Sequence, residues 1–343
     1  MRTLFNFFKL LRPINLFILI LICITIKFGL INQFIIKPAL SDFNFFLFLI
    51  STLLVTGSGY IINDIYDEKV DKINKDHKRI INKEINSKSA IIWYFLFNFL
   101  ALLIIVHVAI VIEKIIFSLI FLYSIFILWR YSKLLKYTFL RGNLVVSCLV
   151  ALSILNIGLF DIVPVINNDN SSKIIFLIII VYSLFAFLMT FSREIIKDLE
   201  DAEGDKIYGA NTIALSLGIH KSKRIINSVN LIVLFFIAFW QYFQYSLYLT
   251  RFDTINNEQI EIWGTDNLSI LYIALLQFSL IYFIIKCYFA KEKVDFFHLS
   301  NISKYIMLFG IISIIIFTID YQDLSFRDII IECLNTLKKL ITL

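Results

Sequence analysis

Two stretches of this chain gather acids at helical spacing. The first reads Asn63-Asp64-Ile-Tyr66-Asp67-Glu68-Lys-Val-Asp71. At 100° per residue Asp64, Asp67 and Asp71 fall within an arc of about 60°, with Asn63 beside them. The second reads Lys197-Asp198-Leu-Glu200-Asp201-Ala-Glu203-Gly204-Asp205, where Asp198, Asp201 and Asp205 repeat the same spacing. Carboxylates stacked on one helix face repel by roughly tenths of a kcal/mol per exposed pair, so something must compensate. A hard divalent cation does so: Mg²⁺ accepts oxygens from one or two carboxylates, keeps some waters and completes its shell from substrate phosphates. Two facing acidic helices would hold two such ions around a diphosphate, whose departure from an allylic carbon requires its oxygens to be neutralised. Acids that follow a membrane helix are often only a solvated connection paired with nearby lysines. Two distant clusters of matching spacing on one side of a membrane argue against that reading, and neither contains a twelve-residue calcium loop.

The elements that must position these acids are membrane helices. Of 343 residues, 59% are hydrophobic and 17% charged, with three prolines, far more apolar than a soluble domain. Spans are predicted at roughly 14 to 32, 43 to 62, 90 to 112, 115 to 130, 142 to 160, 173 to 192, 225 to 249, 269 to 289 and 302 to 320. The weakest division lies between the third and fourth, where only Glu113 and Lys114 interrupt the apolar run and a tight turn must be assumed. Basic residues alternate accordingly. Arg2, Lys9, Arg12, the lysines from Lys69 to Lys88, Arg130 to Arg141, Arg193 to Arg224 and Lys286 to Lys304 fall on one side, against Lys37, Lys114, Lys173 and Arg251 on the other. By the positive-inside rule the N-terminus is cytoplasmic and the C-terminus opposite.

The fold class is therefore an all-α integral membrane bundle of nine transmembrane helices, with a cavity facing the cytoplasm. It forms one domain over 1–320, followed by a tail over 321–343 with the composition of a short amphipathic helix. The inner segments 63 to 89 and 193 to 224 read as loops that begin with acids, and 250 to 268 as a solvated outer connection. The net charge of +6 records orientation rather than nucleic-acid binding. Cys23, Cys148, Cys287 and Cys333, like the four histidines, are too dispersed for a disulfide framework or a zinc site.

The motifs NDxxDxxxD after the second span and DxxxD after the sixth, with Gly209-Ala-Asn-Thr212 and Leu217-Gly218 beyond it, resemble the two signatures of the UbiA superfamily of intramembrane prenyltransferases. The resemblance extends to Arg12-Pro13-x-Asn15 before the first span, and to Tyr131-Ser-Lys133-Leu-Leu-Lys136 with Gly142-Asn143 between the fourth and fifth. It implies that Asn63, Asp67, Asp71, Asp201 and Asp205 bind two magnesium ions, with Asp64 and Asp198 as neighbouring acids. Lys133, Lys136, Arg141, Lys197, Asn143 and Asn15 would then grip the diphosphate, and Asp67, Asp71, Asp201, Asp205 and Lys136 would carry the chemistry. Family members often show Tyr-x-x-x-Lys, whereas here Tyr131 is followed by lysines two and five positions on, which leaves both lysines open. Tyr60, Tyr66 and Tyr131 are candidates to stabilise an allylic cation.

The implied partners are a polyprenyl diphosphate, a lipophilic acceptor and the bilayer. The string Arg193-Glu194-Ile-Ile-Lys197-Asp198-Leu-Glu200-Asp201 is most similar to the branch that alkylates glycerol-phosphate lipids, which implies geranylgeranyl transfer. Prenylation of a dihydroxynaphthoate or hydroxybenzoate is the alternative. A CDP-alcohol phosphotransferase would need an Asp-Gly followed by Ala-Arg, and a transporter would place acids near mid-span; the sequence has neither feature.

Overall fold

The computed structural model describes residues 7–35, 37–74, 80–167, 170–249, 252–253, 258–259 and 263–319. Among them are nine helices long and apolar enough to cross a membrane. α1 spans Pro13–Phe34, with a π-helical turn at Lys27–Ile31. α2 is Asp42–Asn74, α3 Ser87–Val111, α4 Ser118–Lys133 and α5 Arg141–Asp161. α6 is Asn170–Ile207, α7 Ile213–Leu249, α8 Asn267–Phe289 and α9 Lys293–Ile319. A two-stranded antiparallel pairing of Phe252–Asp253 with Glu258–Gln259 lies between α7 and α8.

The nine predicted spans match, and the doubtful division is resolved by backbone geometry. Glu113 adopts a left-handed φ of 57°, and the Lys114 amide donates back to the Ala109 carbonyl at 2.9 Å. A left-handed residue satisfies the last carbonyls of α3 and reverses the chain within a few residues. The acid-bearing starts of the segments after the second and sixth spans are helical, as their spacing requires, and each helix runs on past the predicted span. α2 continues to Asn74 and α6 to Ile207. With 33 and 38 residues they are roughly 50 and 57 Å long, well beyond a hydrocarbon core of about 30 Å. The acids thus ride on rigid helical extensions. The outer connection is also less solvated than expected: Trp263 is buried, its carbonyl accepts from Gln244 Nε2 at 2.7 Å, and its ring meets Phe317 edge-on. The tail over 321–343 lies outside the described residues.

α2 packs on α3 and α4, and α6 on α5, α7 and α9, while α1 touches α2, α5 and α9 and so closes the bundle. α2 and α6 meet directly. Residues such as Ile14, Phe235 and Tyr242 remain exposed on the outside, as lipid-facing side chains must. Close approach is set by small residues: a Cβ on Gly310 of α9 would lie 2.7 Å from Phe185 of α6. At the end of the bundle away from the acidic helices' extensions, Lys27 and Asp161 are fully buried and paired at 2.7 Å. Lys27 Nζ also donates to the Leu40 carbonyl and Asp161 Oδ1 accepts from the Leu40 amide, each at 2.7 Å. This pair ties α1 and α5 to the connection before α2, and the sequence reading did not foresee it.

Candidate active site

Near the end of α2, Asn63 and Asp67 stand one turn apart on the helix. Asn63 Nδ2 donates to Asp67 Oδ2 at 2.7 Å, a one-turn contact that the four-residue spacing dictates. Asp67 is only 3% exposed. Its burial is compensated from the turn Leu135–Tyr137 between α4 and α5, where Lys136 Nζ pairs with Oδ2 and the Tyr137 hydroxyl donates to Oδ1 at 3.0 Å. That turn sits tightly on the start of α5: a Cβ on Gly142 would lie 3.1 Å from both the Leu135 carbonyl oxygen and Lys136 Cα. Glycine there lets the Lys136 turn reach Asp67.

Asp64 turns the other way, to Arg12, whose guanidinium donates to Oδ1 at 2.7 Å and stands 4.8 Å over the Tyr60 ring. Arg12 is left-handed (φ 52°) just before Pro13, and its carbonyl accepts from the Asn15 amide at 2.9 Å. The backbone thereby starts α1 while the side chain crosses to α2. Asp71 lies one turn beyond Asp67 on α2, and its side chain is outside what is described.

On α6, Asp198 Oδ2 accepts from Asn143 Nδ2 at 2.9 Å, which joins the start of α5 to the second acidic helix. Asp205 is buried and Asp201 half-buried. Lys197 and Arg193 both donate to Glu194 Oε1, at 2.5 and 3.3 Å. The two acid-bearing helices are in direct contact. The Asn211 amide, just past α6, donates to the Tyr137 carbonyl at 2.9 Å, beside the hydroxyl that holds Asp67.

The remaining predicted residues divide by orientation. Lys133 is exposed, with Nζ 5.0 Å over the Trp129 ring, and Arg141 is exposed at the first position of α5. Asn15 and Lys197 line a cavity of about 330 Å³. The polar end of this cavity carries Arg12, Asn15, Tyr60, Asn63 and Tyr131, and the lining descends α2 from Asn63 to Thr52, roughly 16 Å, to Ile22, Phe121 and Ile154. A chamber apolar below and polar at its mouth suits an apolar chain with an anionic head. Sequence reasoning missed Tyr137, whose only signal was adjacency to Lys136, and gave no role to Arg12, Arg193 or Glu194.

Among the described residues no three acids, histidines or cysteines converge tightly enough to hold a metal alone. The donor set nevertheless fits magnesium. It offers the carboxylates of Asp67, Asp198, Asp201 and Asp205 and the amide oxygen Asn63 Oδ1, which is buried without a hydrogen-bond partner, and it includes no thiolate or imidazole.

Comparison with known proteins places these features in context. The model of the UbiA prenyltransferase family matches residues 16–252. The digeranylgeranylglyceryl phosphate synthase of Saccharolobus solfataricus is 35% identical over 195 residues, covering 54% of this chain and 63% of that protein. The synthase of the same description from Methanosphaera stadtmanae is 30% identical over 264 residues, covering 77% of this chain and 83% of that protein. A structure solved in work on digeranylgeranylglyceryl phosphate synthase in membranes superposes with a TM-score of 0.58 at 23% identity, over 93% of this chain and all (100%) of that one. A UbiA homolog from Archaeoglobus fulgidus bound to GPP and Mg²⁺ gives a TM-score of 0.51 at 17% identity, over 90% and 99%. At these identities the two structures speak for the fold.

Proposed function

The chain belongs to the UbiA prenyltransferase family, and on that premise we propose that it transfers a geranylgeranyl group from its diphosphate to the hydroxyl of a glycerol-phosphate lipid. One observation carries the reading: Asp67 of α2, held by Lys136 and Tyr137, stands where α2 meets the acid-bearing α6, beside a cavity that is polar at its mouth and otherwise apolar. The curated relatives of that activity, at 30 to 35% identity, support the choice of acceptor.

In this reading the prenyl tail lies along Ile22, Phe121 and Ile154, and the head sits between α2 and α6. Asn63, Asp67, Asp71, Asp201 and Asp205 would hold two magnesium ions, with Asp64 and Asp198 beside them. Bound magnesium supplies Lewis-acid neutralisation of the departing diphosphate oxygens. Lys136 adds a charge-assisted donor on the same side, because its ammonium already stands at Asp67. Tyr60 and Tyr131, lining the mouth, place aromatic faces where positive charge develops on the allylic carbon. The bond from that carbon to diphosphate breaks, the bond to the acceptor oxygen forms, and the hydroxyl proton is lost. Asp64 keeps Arg12 in place, which fixes the entry of α1 over the cavity. The mouth faces the cytoplasm, following the distribution of basic residues.

The test is an acceptor assay on detergent-solubilised protein with labelled geranylgeranyl diphosphate and magnesium. Label should pass to geranylgeranylglyceryl phosphate. Label passing only to a dihydroxynaphthoate or hydroxybenzoate would replace the acceptor assignment, and ion flux without any transfer would replace the enzyme reading.

A further inference from the structure

The proposed transfer releases one proton, that of the acceptor hydroxyl, and a group in the cavity has to take it. Among the described residues, the one carboxylate in the cavity wall is that of Glu194; Asp67, Asp198, Asp201 and Asp205 stand outside it. Glu194 precedes Asp198 by one turn of α6, just as Asn63 precedes Asp67 by one turn of α2. The two helices are the second and sixth of nine spans, so they cross in the same direction. On both, the cavity lining runs on to lower numbers, to Thr52 and Tyr182, so Asn63 and Glu194 lie about 6 Å deeper than those acids, towards the apolar end. In the proposed binding mode the allylic carbon falls at that level, between a diphosphate held at the acids and a tail along Ile22 and Phe121.

The Glu194 carboxylate is held in a particular way. Lys197 Nζ and Arg193 Nη1 both donate to Oε1, at 2.5 and 3.3 Å, and neither contact engages Oε2. Two cations on one oxygen keep a buried carboxylate ionised, and charge-assisted bonds fix its plane. Paired so, Glu194 is a weak base. A weak base suffices, because an alcohol oxygen that bonds to an allylic cation makes its own proton strongly acidic. The lysine ammonium groups nearby accept no proton, and acids that coordinate an ion have their oxygens engaged.

We infer that Glu194 is the catalytic base of the transfer and takes the acceptor's hydroxyl proton on Oε2. The inference rests on the proposed function and deepens it. The bond from the allylic carbon to diphosphate breaks with its electron pair going to the diphosphate oxygen. A lone pair of the hydroxyl oxygen forms the new bond to that carbon. The O–H pair returns to the oxygen as the proton passes to Glu194, which leaves a neutral ether and a protonated carboxyl. Water receives that proton before the next turnover.

Steady-state kinetics of the full chain test this, with geranylgeranylglyceryl phosphate and geranylgeranyl diphosphate varied in turn. Glu194→Gln keeps the shape and an acceptor for Lys197, and should lower kcat by about 100- to 10,000-fold with KM for each substrate within about threefold. Glu194→Gly should regain at least about 10-fold with added formate and nothing with chloride, a rescue that a purely structural role would not give. Glu194→Asp keeps the charge and withdraws the oxygen by one methylene. Its kcat should fall by about 10-fold or more while magnesium-dependent binding of geranylgeranyl thiolodiphosphate stays within about twofold of wild type, and it serves if the other variants do not fold. A Glu194→Gln protein near wild-type kcat, a loss confined to KM, or a glycine variant that formate leaves unchanged overturns the inference alone. So does a Glu194→Asp protein as fast as wild type, where only that variant folds. Wild-type protein that transfers to a dihydroxynaphthoate but not to the glycerophosphate lipid overturns the proposed function, and the inference with it.

Discussion

At the scale of the residue, the two lysines left open by the sequence take different positions. Lys136 reaches Asp67, while Lys133 lies over Trp129 at the surface. A charged hydrogen bond contributes about 1.5 to 3 kcal/mol, so Lys136→Ala should lower kcat/KM by about 10- to 100-fold or more. Lys133→Ala should stay within about threefold, because an exposed contact of that kind contributes only about 0.5 to 1 kcal/mol. The reverse order would assign the diphosphate contact to Lys133. Tyr137→Phe removes one donor from Asp67 and should cost about 10-fold in kcat/KM with little loss of stability, read by turnover and thermal unfolding together. The acids were legible because i, i+3, i+7 spacing survives in a linear string. The Tyr137–Asp67 and Arg12–Asp64 contacts were not, because contacts between residues far apart in sequence, 70 and 52 apart, leave no local pattern.

At the scale of the element, helices and their count were written in hydropathy, while the extra turns of α2 and α6 were written only in the spacing of their acids. The hydropathy signal stops where the bilayer does, whereas the helix stops where its backbone pairing does. The Lys27–Asp161 pair is the other feature the pattern concealed: Lys27 lies inside an apolar run and its partner is 134 residues away. Both side chains are fully buried, so removing one leaves an uncompensated charge. Lys27→Met should therefore destabilise the bundle by about 3 to 5 kcal/mol, and adding Asp161→Leu should restore much of that. Thermal unfolding in detergent reads the difference, and a double variant no better than the single one would contradict it. Gly310→Val, which drives a side chain against Phe185, should cost about 1 to 3 kcal/mol in the same assay.

At the scale of the whole molecule, the bundle brings α2 and α6 into contact, so the proposed site can draw on two acidic segments more than a hundred residues apart. The proposed orientation, with the acid-bearing ends of α2 and α6 on the cytoplasmic side, has its own test. In a variant without native cysteines, single cysteines at Lys37 and Glu113 should react with an impermeant maleimide in intact cells, and those at Glu84, His220 and Glu292 only after lysis. The shared site itself is tested most directly by equilibrium binding of geranylgeranyl thiolodiphosphate, an unreactive analogue, across a magnesium titration. Wild-type protein should bind it only with magnesium, and Asp67→Asn and Asp201→Asn should each weaken that binding by at least about 10-fold while both proteins stay folded. Binding as tight as wild type in either variant would mean that the two helices do not grip one diphosphate.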